Sequence, residues 1–279
     1  MTALRILGVA LFCVLLTLFF TLVRFPYEQL RGPLEDRLRV ASGADISLGE
    51  LRGGPSIGLI GLYAGPVRLT WPDGSLLAID SVALRPAWSL SWLRGRPALH
   101  ADIRAEVGNA RGTFWPSVEE AGFSGRIEDL DLAELPTRVV PASAELGLAG
   151  RLDADLDVTR SLGRIAGSID FEARQGAVIV PGSGIPIPYE GFGGHIELAQ
   201  DGSATLRDWA LSGTTLSASL AGTLGAAPSL LAAPLDVTIQ IRVDDAGARQ
   251  ALAPLGVALR PDGTATLRVG GSLASPALE

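Results

Sequence analysis

Leu99-His-Ala-Asp-Ile-Arg-Ala-Glu-Val107 is the stretch on which the fold turns. Leu99, Ala101, Ile103, Ala105 and Val107 are apolar, and His100, Asp102, Arg104 and Glu106 fall between them. A β-strand points successive side chains to opposite faces, so this period of two predicts a strand with one dry and one wet face. The same period recurs downstream. Leu152, Ala154, Leu156 and Val158 alternate with Arg151, Asp153, Asp155 and Asp157, and Leu235, Val237, Ile239, Ile241 and Val243 alternate with Asp236, Thr238, Gln240 and Arg242. Leu216, Ala218 and Leu220 repeat it, as do Ala265, Leu267 and Val269. One-sided strands of this kind belong to antiparallel sheets.

Between the strands lie turn signals: Pro72-Asp73-Gly74, Gln200-Asp201-Gly202 and Pro261-Asp262-Gly263. Such turns predict that most neighbouring strands pair. A short pattern, Gly-x-(Ile/Leu)-(Asp/Glu), starts at Gly125, Gly150, Gly167 and Gly194. Its uneven spacing suits a meander rather than a strict solenoid. Few helices are expected in the body: Trp88 to Leu93, a turn at Leu132 to Leu135, and Asp245 to Ala253. A flat sheet of some fifteen strands at about 4.8 Å each would run roughly 70 Å, and its apolar face cannot stay open to water. It must curl on itself or shelter something apolar. Small inward residues (Ala101, Ala105, Ala154, Ala218, Gly222) suit a strongly bent sheet. Leu135 to Ser143 lacks alternation and is expected to join two subdomains, with the division near 136–144. Pro181 to Gly194 reads as a long apolar loop capping the core.

Toward the N-terminus the pattern changes. Ile6 to Val23 is an uncharged run of eighteen residues, which as a helix spans roughly 27 Å, close to a bilayer core. Ile6, Val9, Leu11, Phe12, Leu15, Leu16, Phe19, Phe20 and Val23 carry its apolar surface, Arg5 and Arg24 bracket it, and Phe25 and Tyr27 lie where an aromatic belt would. A cleavable signal peptide is the competing reading. The run exceeds a usual signal core and Phe25-Pro26-Tyr27 offers no small-residue cleavage site, so a retained anchor is expected. The short tail before the span and the large body after it resemble a signal anchor, which places the N-terminus in the cytoplasm and the body outside it. After the anchor, Tyr27, Leu30, Leu34 and Leu38 recur at helical spacing, with Pro33 suited to a first turn and Gly43 to a helix end. Pro33 to Ala41 is therefore expected to be an amphipathic helix, either a lid on the first strands or a helix on the membrane surface. The expected parts are residues 1–25 as tail and anchor, 26–43 as juxtamembrane helix and 44–279 as periplasmic β body. The fold class is mainly β: a long curved antiparallel meander forming a groove, with one transmembrane helix and a few short helices.

Composition narrows the function. Apolar residues make up 47% of the 279-residue chain and charged residues 19%, so a large apolar surface needs cover. Net charge is -7 and all 23 basic residues are arginines, scattered along the chain. That argues against nucleic acid as a partner. The lone Cys13 excludes an intrachain disulfide.

Candidate chemistry is thin. Gly54-Pro-Ser56-Ile-Gly58 matches the hydrolase G-x-S-x-G pattern, with Asp80 and His100 or His195 as nominal partners, but strand-like sequence follows where the motif requires a helix. His195 and Glu197 offer two metal ligands without a third. Asp153, Asp155 and Asp157 lack the glycine and distal glutamate of a calcium loop. Trp88 and Trp92, four apart, suit the seating of a short helix. No catalytic residue, metal or cofactor is expected.

The order of parts has a likeness. Anchor, helix, Ser42-Gly-Ala-Asp-Ile-Ser-Leu-Gly-Glu-Leu51, and a meander ending Gly263-Thr-Ala-Thr-Leu-Arg-Val-Gly-Gly-Ser-Leu-Ala-Ser-Pro276 resemble the AsmA-like envelope proteins. Phe25-Pro-Tyr-Glu-Gln-Leu30, Gly54-Pro-Ser-Ile-Gly-Leu59, Leu69-Thr-Trp-Pro-Asp-Gly74 and Arg85-Pro-Ala-Trp-Ser-Leu90 are similar to the type II secretion system protein N (GspN) family. That resemblance implies a bitopic inner-membrane accessory of the secretion machine, with other secretion-system proteins as partners and no catalytic residues. The AsmA-like likeness implies instead an apolar β groove that holds or transfers lipid.

Overall fold

A computed structural model describes residues 24–54, 61–87, 97–115, 120–135, 147–161, 164–179, 186–227, 232–245, 259–272 and 275–278, with residues 12, 17, 20 and 249. The chain divides into two compact units, Met1–Glu106 and Val107–Glu279. The expected joint near 136–144 lies outside the described residues, as do most of Ile6 to Val23, Gly54-x-Ser56-x-Gly58 beyond its first glycine, and Trp88 to Leu93. Of the expected anchor, Phe12, Thr17 and Phe20 are described, helical and exposed. Among the described residues no helix is long and apolar enough to cross a membrane.

The first unit is a four-stranded antiparallel sheet edged by a helix. Its strands are β1 (Asp45–Gly54), β2 (Gly61–Thr70), β3 (Leu76–Pro86) and β4 (Leu99–Ala105), each paired with the next. Alternation sets the register: Ile46, Leu69 and Leu77 lie in one row, and Leu48, Val67 and Ile79 in another. These rows, with Ala44 and Trp71, form the core. The expected strand Leu99–Val107 stops at Ala105, because Glu106 and Val107 form a turn ahead of Gly108. An apolar residue at a turn keeps the period of two intact, so alternation alone could not show the break.

A 3-10 turn (Tyr27–Leu30) leads into α1 (Arg31–Ser42), which runs antiparallel to β1. Pro33 sits in the first turn, and Gly43 ends the helix in the left-handed conformation (φ 66°), where a Cβ would be strained. The helix is a lid: Leu34 packs on the core, and the Glu35 carboxylate accepts the Leu48 N–H at 2.8 Å. Glu28 accepts the Leu51 N–H at 3.1 Å, and Arg39 pairs with Asp45 at 2.9 Å. Among the described residues β1 pairs with β2 alone, so its outer backbone donors would otherwise face water or another strand. Two glutamates along the covering segment satisfy two of them, at Leu48 and Leu51.

The second unit holds β5 (Gly108–Trp115), β6 (Glu120–Asp131), β7 (Gly147–Ser161), β8 (Arg164–Ile179), β9 (Pro186–Leu198), β10 (Ala204–Ser212), β11 (Leu216–Leu224), β12 (Leu235–Val243), β13 (Thr264–Ser272) and β14 (Ser275–Leu278). Every strand pairs antiparallel with its successor. Leu235–Val243 forms a strand over its full predicted length, and Leu132 to Leu135 is a turn, as expected. Of the expected helix Asp245 to Ala253 only Asp245 and the helical Arg249 are described. The expected loop over Pro181 to Gly194 is a correction: from Pro186 onward it is strand β9. Its first residues pair with β8 but extend past β10, whose pairing begins at Gly191. A strand edge without a partner tolerates Pro186 and Pro188, which have no N–H to give.

All three predicted turns share one device. Asp73, Asp201 and Asp262 each accept the backbone N–H and the hydroxyl of the residue two ahead, with oxygen to oxygen distances of 2.6, 2.6 and 2.7 Å. The glycine between them takes a φ of 80° to 89°, which only glycine adopts freely.

Candidate functional site

Strand register carries apolar side chains across the second unit in unbroken rows. One runs Gly125, Leu156, Ile169, Ile196, Leu206, Gly222, Val237, Val269 from β6 to β13. A second runs Leu130, Leu152, Ala173, Phe192, Leu211, Ala218, Ile241, Ala265. Between them lie Ile127, Ala154, Phe171 and Gly194, continued by Trp209, Leu220, Ile239 and Leu267.

Bulges make the third row possible. Pairing shifts at Asp129 in β6 and at Asp208 in β10, both with positive φ (58° and 55°). An extra residue reverses which side chains face inward. Leu206 and Trp209 therefore face the same way although three residues apart. Gly194 leaves the space that the Trp209 indole occupies. Trp209 meets Phe171 edge-on at 4.9 Å and Phe192 at 5.7 Å, and Phe192 meets Phe171 at 5.4 Å and Tyr189 at 6.2 Å. The buried Tyr189 hydroxyl donates to the Ala149 carbonyl at 2.9 Å, and burial raises its pKa above the ordinary phenol value.

Among the described residues no second layer lies on this face. Broad contacts within the second unit join strand neighbours only. Phe171, Phe192, Ile196, Ile239 and Leu267 are partly exposed, whereas Ala154, Ala173, Leu206, Val237 and Ala265 in the same rows are buried. Three rows over eight strands have a footprint of roughly 34 by 14 Å.

The opposite face is a ladder of exposed ion pairs. Arg126 grips Asp155 through two 2.7 Å hydrogen bonds, holding that carboxyl below its ordinary pKa. Arg268 grips Asp236 at 3.2 Å, and Arg174 pairs with Asp153 at 3.1 Å. Exposed pairs of this kind add little stability but keep the face wet and in register.

The residues singled out for chemistry are dispersed or already engaged. His195 Nδ1 lies 2.6 Å from Asp170, and Glu197 pairs with Arg207 at 3.0 Å, so neither points at a shared ion. Asp153 and Asp155 serve arginines. Asp80 and His100 belong to the first unit, where Asp80 lines an open depression of about 1220 Å³ with Arg52, Tyr63, Arg85, Asp102 and Arg104. Among the described residues no three potential ligands gather as a metal site. Sequence reading missed the aromatic cluster, because its members lie up to 38 positions apart, from Phe171 to Trp209, and meet only through register and bulge. Compared with protein-family models, with curated proteins and with solved structures, the chain matches none.

Proposed function

We propose that this chain is a bitopic inner-membrane accessory component of the type II protein secretion system, its β body in the periplasm and its apolar face a docking surface for another component. The partly exposed three-row face, which no described element covers, carries the reading, because it has the chemistry of an interface and no reacting group. Covering a dozen half-exposed side chains at about 1 kcal/mol each would supply on the order of 10 kcal/mol. The four segments similar to the secretion protein N family point to the machine. Two of them also have local work: Tyr27 and Glu28 fasten the covering segment to β1, and Trp71 to Gly74 builds a turn. No catalytic step belongs to the proposal. Purification of the intact protein from membranes should recover secretion-system components, and deletion should reduce secretion. Neither effect being seen would sink the proposal.

A second reading has its own support. Every position in the three rows is glycine or an apolar residue, so the face offers an occupant mainly apolar contact, which suits acyl chains in an AsmA-like lipid-handling protein. Native mass spectrometry should then show copurified lipid. Protein free of lipid after gentle extraction removes this reading and leaves the first standing.

A further inference from the structure

The first unit gathers Arg24, Phe25, Tyr27, Arg52, Tyr63 and Arg85 at one end, the end nearest residue 24. Antiparallel contact fixes this: Tyr27 and Glu28 lie against Gly53 and Leu51, Glu35 against Leu48, and Arg39 against Asp45. The segment that follows residues 6–23 therefore enters beside the C-terminal end of β1. The meander places the start of β2, the end of β3 and the start of β4 at the same end, with Arg52 opposite Tyr63 and Arg85 opposite His100. Helical bonding continues to Arg24, whose N–H donates to the Phe20 carbonyl at 3.0 Å. From Arg24 to Tyr27 the chain can extend at most roughly 10 Å.

The rim so defined has a distinct surface. Phe25 is 42% exposed and Tyr63 38%, although both are large aromatics. The Phe25 ring meets Tyr27 edge-on at 5.2 Å, and Tyr27 in turn lies over Gly53, where a Cβ would strike it. Tyr63 lies beside Gly54, with 3.3 Å between its ring and the place a Cβ would take. Arg24 and Arg52 are exposed at the same end, Arg52 in a loose 3.5 Å pair with Glu50, and Arg85 is half-exposed in a depression that also holds Asp80 and Asp102. The opposite end carries the Asp73 turn, Leu76, Arg68 and the Arg39–Asp45 pair, with no exposed aromatic ring among the described residues.

We propose that this rim is a membrane-contact surface: Phe25 and Tyr63 enter the glycerol and headgroup layer, and Arg24, Arg52 and Arg85 engage lipid phosphates. Aromatic rings and arginines are the side chains that favour this layer, one amphipathic and the other able to bind a phosphate through a fork of N–H donors. The span alone would leave the body on a swivel; the rim and the helix lid would hold the first unit end-on to the bilayer. The inference rests on reading residues 6–23 as a membrane span.

The test uses the full chain in vesicles of phosphatidylcholine and phosphatidylglycerol, with Cys13→Ser as background and a bimane probe on Tyr63→Cys, Leu76→Cys or Phe12→Cys. Lipids spin-labelled on the headgroup or in mid-chain serve as quenchers. Headgroup label should remove most of the emission at position 63 and little at position 76, while mid-chain label quenches position 12. Position 63 unquenched with position 12 quenched would overturn the rim and keep the span. Position 12 unquenched by either label would overturn the span itself, and the rim with it. Circular dichroism of each variant, unchanged from the parent, shows that the probe reports on the folded chain.

Discussion

At the scale of single residues, glycines and aspartates set the geometry that the apolar residues fill. Gly194 is the clearest case, since a Cβ there would run into the Trp209 indole. Gly194→Val should destabilise the second unit by about 1–3 kcal/mol through overpacking, read from chemical denaturation followed by tryptophan emission. The turn aspartates give a pH signature. Hydroxyl and backbone hydrogen bonds from Ser203 and Thr264 hold Asp201 and Asp262 below the ordinary carboxylate pKa. A folded pKa below the unfolded value of about 3.9 contributes stability that is fully present above that value and fades as pH falls through the folded one. Thermal midpoints should therefore drop on acidification below about pH 4, and Asp201→Asn with Asp262→Asn should flatten part of that drop while lowering the midpoint at pH 7. An undiminished slope in the double variant would show that other carboxylates carry it. These turns were legible in the sequence, because Asp-Gly followed by a hydroxyl residue states its own hydrogen bonds.

Among the elements, the helix lid and the bulged strands differ in how openly the sequence declares them. α1 was marked by Pro33, Gly43 and the spacing of Leu34 with Tyr27 and Leu30, but its role as an edge cover was not, since nothing in the sequence pairs Glu28 with Leu51 or Glu35 with Leu48. The Leu48 N–H and the Arg31 side chain, in that order, lower the Glu35 pKa. Its bonds thus persist below the ordinary glutamate value and are lost only as pH falls through the lowered one. Glu35→Ala should cost about 1–3 kcal/mol by leaving the Leu48 donor without an acceptor. Hydrogen exchange should quicken at Leu48 and along α1, with the amides of the second unit unchanged. Bulges stayed hidden for a different reason. Glu128-Asp129 and Arg207-Asp208 put two polar residues in succession, and a reading by twos carried straight through them assigns Trp209 to the wrong side. The loop expected at Pro181 to Gly194 failed similarly, because proline was read as a break rather than as a mark of an unpaired strand edge.

For the molecule as a whole, the dry face was foreseen from the period of two, and its continuity across eight strands came only with the register. The partly exposed face predicts strong binding of an apolar dye to the purified protein. Ile239→Asp with Leu267→Asp should reduce that binding severalfold while the β signal in circular dichroism persists, since both side chains are only half-buried. Dye binding unchanged in the double variant would locate the exposed apolar surface elsewhere. Pairing that follows chain order within each unit has a further effect, on how the protein is made. Each strand needs only the one synthesised before it, so a polypeptide delivered N-terminus first can add rungs as they emerge, without waiting for a distant partner. The most recent strand is always the growing tip, with unpaired backbone until its successor arrives. A stall in delivery would hold open one sticky margin at a time, and helpers of folding would need to guard a single moving front.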